Sequence, residues 1–283
     1  MFHFFGQIYW NPDPVLIDFG FLALGWYGLL FTTGIALSYA IVLQGFQRAS
    51  LADSHFEKFT LAIILGMFVG MRLGHFLFYE PTAFVERPVE IILPVSFSPS
   101  FHIVGYRGLA SHGGVLGILL AVGWFVRRHP KISGAFVLNQ LALVAPLAGG
   151  FIRLGNLMNS EIVGLPADVP WAFVFASVDT VPRHPTPLYE AVGYFTIFFL
   201  LYRWRLQPWF RQENRGVGLL LVLLFSWRFI VEFFKEDQAA FEKALWFNMG
   251  QWLSIPFIVA GIVLLSRRPA EPTEGNDDQG ATR

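Results

Sequence analysis

Seven stretches of the chain, about 15–43, 59–79, 108–126, 135–158, 187–203, 216–235 and 249–266, are apolar over the length that a lipid bilayer demands. A spanning helix needs roughly twenty mostly apolar residues, so the pattern predicts an all-α polytopic membrane protein with seven transmembrane helices. Apolar residues make up 54% of the 283 and charged residues 14%, a balance foreign to soluble globular chains. Zero formal net charge argues against nucleic acid as a partner. The absence of cysteine removes disulfides, a thiolate nucleophile and a thiol metal site, so any thiol chemistry must come from a substrate.

Seven spans put the two ends on opposite sides. One set of connections (44–58, 127–131, 203–215 and the tail from 267) carries twelve Lys and Arg residues, and the other set carries five. Basic residues collect on the cytoplasmic side, which predicts a cytoplasmic C-terminus and a periplasmic N-terminus. The first fourteen residues are aromatic and uncharged except for Asp13, without the basic region of a cleavable signal peptide. Residues 1–268 read as one domain and 269–283 as a disordered cytoplasmic tail. The segment 80–107 is too broken by proline to span and is expected in the outer interface. A small periplasmic head is expected over 161–186, with Trp171–Phe175 as a short strand. No internal repeat is visible, which counts against an inverted-repeat transporter.

Within this apolar frame the polar residues are few and costly. Arg153 follows Leu141–Ile152, a run without charge, and an ionisable group at membrane depth lines a cavity, a substrate path or a partner's charge. On a helix Arg153, Asn156 and Ser160 share one face with Gly149. A buried polar network that merely holds helices together is the competing reading. His112 in Ser111-His112-Gly113-Gly114 opens the third span as the best proton carrier near neutral pH, unless it is an interfacial histidine bonded to backbone or water. Arg228 and Glu232 are spaced to meet on the sixth span, with Lys235 beyond them, either as a neutralised pair or as a site. Arg72 with His75, Tyr27 in Gly25-Trp26-Tyr27-Gly28, and His184 with Glu190 around the start of the fifth span are weaker signals with plain packing or bracing alternatives. Arginine suits a phosphate because its planar fork combines charge with paired hydrogen bonds. A lipid phosphate is the obvious anion at that depth. No metal-ligand set occurs in the spans, and no cofactor is expected.

These residues resemble a known family, the bacterial prolipoprotein diacylglyceryl transferases. The run Arg153-Leu154-Gly155-Asn156-Leu157-Met158-Asn159-Ser160-Glu161 is similar to the family signature G-R-x-G-N-x-x-N-x-E. His112-Gly113-Gly114, Arg183 to Glu190, Arg228 to Lys235, the Trp26-Tyr27-Gly28 of the first span and Met249 to Pro256 match further family motifs in order. The resemblance implies a bacterial inner-membrane enzyme whose partners are phosphatidylglycerol, membrane lipid and the signal peptides of preprolipoproteins. It implies His112, Arg153 and Arg228 as catalytic residues, His112 as base for the thiol and the arginines on the departing phosphate. Asn156 and Asn159 would orient the headgroup, and Glu161 and Glu232 would hold the arginines. Tyr27, Arg72, Gly113, Gly114, Gly155 and His184 complete the expected substrate-binding set. Asn139, Ile152, Ser160, Pro187 and Leu224 depart from the family pattern and mark a divergent member. A transporter or flippase for an anionic solute, and a silent relative that binds lipid or signal peptide, are the alternatives. The oligomeric state is not encoded in any motif, and monomer is the default.

Overall fold

A computed structural model of the chain describes residues 7–20, 23–92, 95–96, 102–103, 110–210, 214–236 and 246–267. The tail expected over 269–283 and part of the interfacial segment lie outside the described residues. The long helices are α1 (Trp26–Arg48), α2 (Asp53–Tyr79), α5 (Ser111–Arg128), α6 (Gly134–Met158), α7 (Thr186–Trp204), α8 (Arg215–Val231, prolonged by a 3₁₀ turn Glu232–Phe234) and α9 (Met249–Ser266). Two short helices, α3 (Ala83–Glu86) and α4 (Pro88–Ile92), follow α2. Five helices, α1, α2, α6, α8 with its turn and α9, are long and apolar enough to cross a membrane, and the protein is a polytopic membrane protein. The remaining long helices carry more polar ends: His112 and the pair Arg127, Arg128 on α5, and Glu190 and Arg203 on α7. Large apolar side chains such as Leu61, Leu65, Leu120, Phe199 and Ile262 are exposed on the helices, as lipid contact requires.

The expectation of an all-α chain needs correction at one end of the bundle. Strands β1 (Ile8–Trp10), β6 (Phe173–Phe175) and β7 (Pro182–Arg183) form a sheet in the order β1-β6-β7, with β6 parallel to β1 and antiparallel to β7. The strand expected within Trp171–Phe175 is therefore present, and its partner comes from the start of the chain. Residues assigned to the beginning of the first span instead form an antiparallel hairpin of β2 (Val15–Asp18) and β3 (Ala23–Gly25). Asp13 accepts from the Val15 amide and Asp18 from the Gly20 amide, at 2.8 and 2.7 Å, and Gly20 has φ +80°. Such aspartate turns favour a reversal over a helix. In the interfacial segment β4 (Val95–Ser96) pairs with β5 (His102–Ile103).

α6 is the central helix, packing against α1, α7 and α8, while α8 carries α9. α2 packs mainly on α5 along glycines: a side chain at Gly74 would stand 2.7 Å from the Gly113 Cα, and one at Gly70 would stand 2.9 Å from the Gly117 Cα. Small residues at four-residue spacing let two helix backbones approach without a bulky layer between them. The apolar core lies at one end of the bundle, where Phe46, Phe56, Phe59, Phe125, Val137 and Leu201 close together. The charged residues gather at the opposite end, beside the β1-β6-β7 sheet. Trp10 fastens that sheet to the bundle, its Nε1 donating to the Leu157 carbonyl at 2.9 Å, among the last carbonyls of α6 that have no partner within the helix.

Candidate functional site

The head end of the bundle brings together the C-terminal turns of α6 and α8 and the N-terminal turns of α7 and α9. Helix C-termini favour cations, and Arg228 in the last turn of α8 follows that rule, whereas the carboxylate of Glu232 stands at the C-cap of the same helix. Arg153 rises from the end of α6 and Arg228 from the last turn of α8, whereas Glu190 stands near the start of α7. Glu190 is wholly buried and Glu232 nearly so. Lys235 joins them, its Nζ 3.0 Å from Glu190 Oε1 and 3.0 Å from Glu232 Oε1. Arg153 Nε lies 3.0 Å from Glu190 Oε2. That contact is an ion pair without a directed hydrogen bond, because Oε2 has no donor aligned on it among the described residues. Arg228 Nη2 stands 3.4 Å from Glu232 Oε1, with its side chain 32% exposed against 17% for Arg153.

The signature run on α6 extends this network outward. Arg153 Nη1 donates to Asn156 Oδ1 at 3.3 Å, and Asn156 Nδ2 donates to Glu161 Oε2 at 2.7 Å. Asn159 Nδ2 donates to Glu161 Oε1 at 3.1 Å. Glu161 thus braces the two asparagines and reaches Arg153 through Asn156. Tyr27 packs against the same turn: a side chain at Gly155 would meet its ring at 2.7 Å, and both Arg153 and Glu161 lie within electrostatic reach of its hydroxyl.

The helical spacing expected to carry Ser160 onto the Arg153 face ends too early. α6 stops at Met158, and Ser160 takes φ +53°. A Cβ is unfavourable in this left-handed conformation, which glycine adopts freely. Ser160→Gly is expected to raise stability by about 1 kcal/mol, measured as a higher midpoint of thermal unfolding in detergent; a lowered midpoint would show that the serine side chain is needed. Ile162 has φ +56°, a conformation rare for a branched side chain. It lies between Glu161 and Gly164, where the chain turns back under the head.

Other expected site residues fall elsewhere. Arg72 turns toward α4, its Nε donating to the Ile91 carbonyl at 3.1 Å and its Nη2 to that of Glu90 at 2.5 Å, with its guanidinium over Phe76. Gly113 is consumed by the α2–α5 contact, and a side chain at Gly114 would press on Met71 Cγ at 2.6 Å. Both glycines therefore serve helix packing. His112 is exposed on α5, and no described residue hydrogen-bonds to it or links it to the arginine group. His184 belongs to the head. Trp171 Nε1 donates to the Tyr189 hydroxyl at 2.7 Å, and that hydroxyl faces His184 Nδ1 at 3.0 Å. The phenol accepts from Trp171 and shares one hydrogen bond with Nδ1, whose direction follows the imidazole tautomer. Burial pushes the His184 pKa down.

Glu190 and Lys235 hold the centre of this site, and spacing alone named neither as a functional residue. The available signal was a carboxylate three residues into an apolar run and a cation one turn past Glu232. Arg183 secures the surrounding loop. Its Nη1 donates to the Gly164 carbonyl at 3.1 Å and pairs with Glu236, while its Nε donates to Asp179 Oδ2 at 3.0 Å. That pairing holds the Asp179 carboxyl below its ordinary range. Two departures from the family pattern are structurally neutral. Asn139 Oδ1 accepts from the Val217 amide at 3.2 Å, capping α8 from a distance, and Pro187 sits in the first turn of α7, where its missing N–H is not needed. Leu224 packs against the apolar core.

Among the described residues no group of three or more metal-ligating side chains occurs. The profile of the prolipoprotein diacylglyceryl transferase family matches residues 14–267. The phosphatidylglycerol–prolipoprotein diacylglyceryl transferase of Tolumonas auensis is 43% identical over 259 residues, covering 92% of this chain and 96% of that protein. The protein of the same name from Bacteroides fragilis is 43% identical over 263 residues, covering 92% and 94%, and that from Chloroherpeton thalassium is 41% identical over 259 residues, covering 91% and 93%.

Proposed function

The chain belongs to the prolipoprotein diacylglyceryl transferase family, and from that premise we propose that it transfers a diacylglyceryl group from phosphatidylglycerol to the lipobox cysteine of preprolipoproteins. The observation that carries this reading is the unspent fork of Arg228, which has a single ion-pair partner among the described residues and an exposed flank beside a buried group of opposite charges. Arg153, Arg228 and Lys235 face Glu190 and Glu232, so the ion-paired group carries one positive charge in excess. One phosphodiester neutralises it.

The reaction forms a carbon–sulfur bond as the bond between the glyceryl carbon and the phosphate oxygen breaks. The thiol proton leaves to a base, and glycerol phosphate departs with the extra negative charge. Preorganised donors lower the energy of that developing charge, which is the role of Arg228 with Arg153. Asn156 and Asn159, fixed by Glu161, orient the headgroup. A free thiol has a pKa of about 8.5, so a base assists it, and His112 takes that part once the two substrates lie between α5 and the arginines. Seven spans, a periplasmic site and head, and residence in the bacterial inner membrane complete the reading, supported by the twelve-to-five distribution of Lys and Arg between the two sets of connections.

The test is a proteoliposome assay with labelled phosphatidylglycerol and a lipobox peptide. A thioether product with equimolar glycerol phosphate is expected, and none with a serine in place of the peptide cysteine. Movement of lipid or solute without covalent product would favour a transporter, and binding alone a silent relative. His112→Gln is expected to lower turnover at least about a hundredfold, within the range of general acid–base catalysis; undiminished turnover would remove the histidine as base.

A further inference from the structure

Glu232 aims Arg228 and shares Lys235 with Glu190, so whatever seats its carboxylate also sets the direction of the guanidinium. The seat is the opening turn of the last helix. Asn248 is the N-cap of α9 and forms a reciprocal pair with Gln251: Asn248 Oδ1 accepts from the Gln251 amide at 2.9 Å, and Gln251 Oε1 accepts from the Asn248 amide at 3.1 Å. With Oδ1 committed to the helix, the Asn248 amide nitrogen is left pointing outward. It donates to the Glu232 carbonyl at 3.1 Å and to Glu232 Oε2 at 3.3 Å. Gly250 supplies the floor. A side chain there would lie 2.6 and 2.7 Å from Glu232 Oε1 and Oε2, closer than atoms can pack. Gln251 ties the same turn to α8 through the Phe229 carbonyl at 3.4 Å.

We infer that Asn248 and Gly250 are positioning residues of the transferase site, holding the Glu232 carboxylate so that the fork of Arg228 faces the lipid phosphate. The two carboxylate oxygens are divided: Oε1 serves Lys235 and Arg228, and Oε2 takes the Asn248 amide. Loss of the amide frees the carboxylate to rotate, and a methyl at Gly250 displaces it outright. Misplacement of a catalytic group by about 1 Å costs on the order of a hundredfold in rate. The inference rests on the transferase reading and goes beyond it, because both residues act through the Glu232 carboxylate.

Asn248→Ser keeps a good helix cap but cannot reach Glu232, and Gly250→Ala adds only a methyl. Each is expected to lower the rate of thioether formation on the order of ten- to a hundredfold with little change in melting temperature for the serine variant. Each is then combined with Glu232→Gln. If Asn248 and Gly250 act through the carboxylate, neither lowers the residual rate of the Glu232→Gln protein further, and Glu232→Asp, one methylene shorter, partly restores the Gly250→Ala protein. Full rates in both single variants, or losses that multiply in the Glu232→Gln background, would overturn the inference. A wild-type protein that made no thioether would defeat the transferase reading instead; the same cycle scored on affinity for phosphatidylglycerol nanodiscs then decides whether the seat aims Arg228.

Discussion

Arg228→Lys should cut thioether formation by on the order of a hundred- to a thousandfold, the usual cost of losing a preorganised donor to a developing anion. Lysine keeps the positive charge and loses the planar fork that meets two phosphate oxygens together. The folded state should barely notice, because the wild-type side chain is about one-third exposed and its ion pair with Glu232 is long, at 3.4 Å. A rate assay in phosphatidylglycerol proteoliposomes, run beside thermal unfolding, separates the two effects. Arg153→Lys is the informative companion. It should lose comparable activity and also stability, since Arg153 neutralises the buried Glu190 carboxylate and holds Asn156. A normal rate in the Arg228→Lys protein would mean that a diffuse positive field is enough, and the fork argument would be wrong.

Lys235→Met carries the second large effect, and it falls on the fold. The Lys235 side chain is 3% exposed, and its partners Glu190 and Glu232 are 0% and 7% exposed, each within 3.0 Å of Nζ. Removing the cation leaves two buried carboxylates with only the arginines to balance them, a change that costs about 3–5 kcal/mol when one member of a buried pair is lost. A lowered melting temperature in detergent is the expected result. Adding Glu190→Gln should recover part of the loss by removing one uncompensated charge. Lys235→Arg, which keeps the cation, should retain most of the stability. If Lys235→Met melted with the wild-type protein, the ion group would not be a buried network at all.

Much of this site was legible along the chain, though in separate pieces. Arg153, Asn156 and Glu161 lie within nine residues of sequence, and Arg228 and Glu232 are one helical turn apart, so local geometry already paired them. What spacing could not show came from contacts between distant segments. Gly113 and Gly114 looked like room for a substrate beside His112, yet their space is taken by α2, whose glycines lie about forty residues earlier. Arg72, expected in the substrate-binding set, donates to the carbonyls at the end of α4. His184 is hydrogen-bonded to a tyrosine in the head. The hairpin at 15–25 was concealed within an apolar run because hydrophobicity does not distinguish strand from helix over a few residues, and the aspartates at its turns decided the matter.

The amino-acid order by itself determined the membrane class, the family and the residues able to bind an anion. Those properties depend on runs of apolar side chains and on motifs a few residues long. Only the tertiary structure decided that Glu190 and Lys235 sit between the two arginines, and that the start of α9 supports Glu232. Those neighbours come from helices separated by tens of residues, and they meet because the end of α6, the end of α8 and the starts of α7 and α9 share one end of the bundle. Which helix ends share a place is set by packing among all of them, and no local pattern in the chain contains that information.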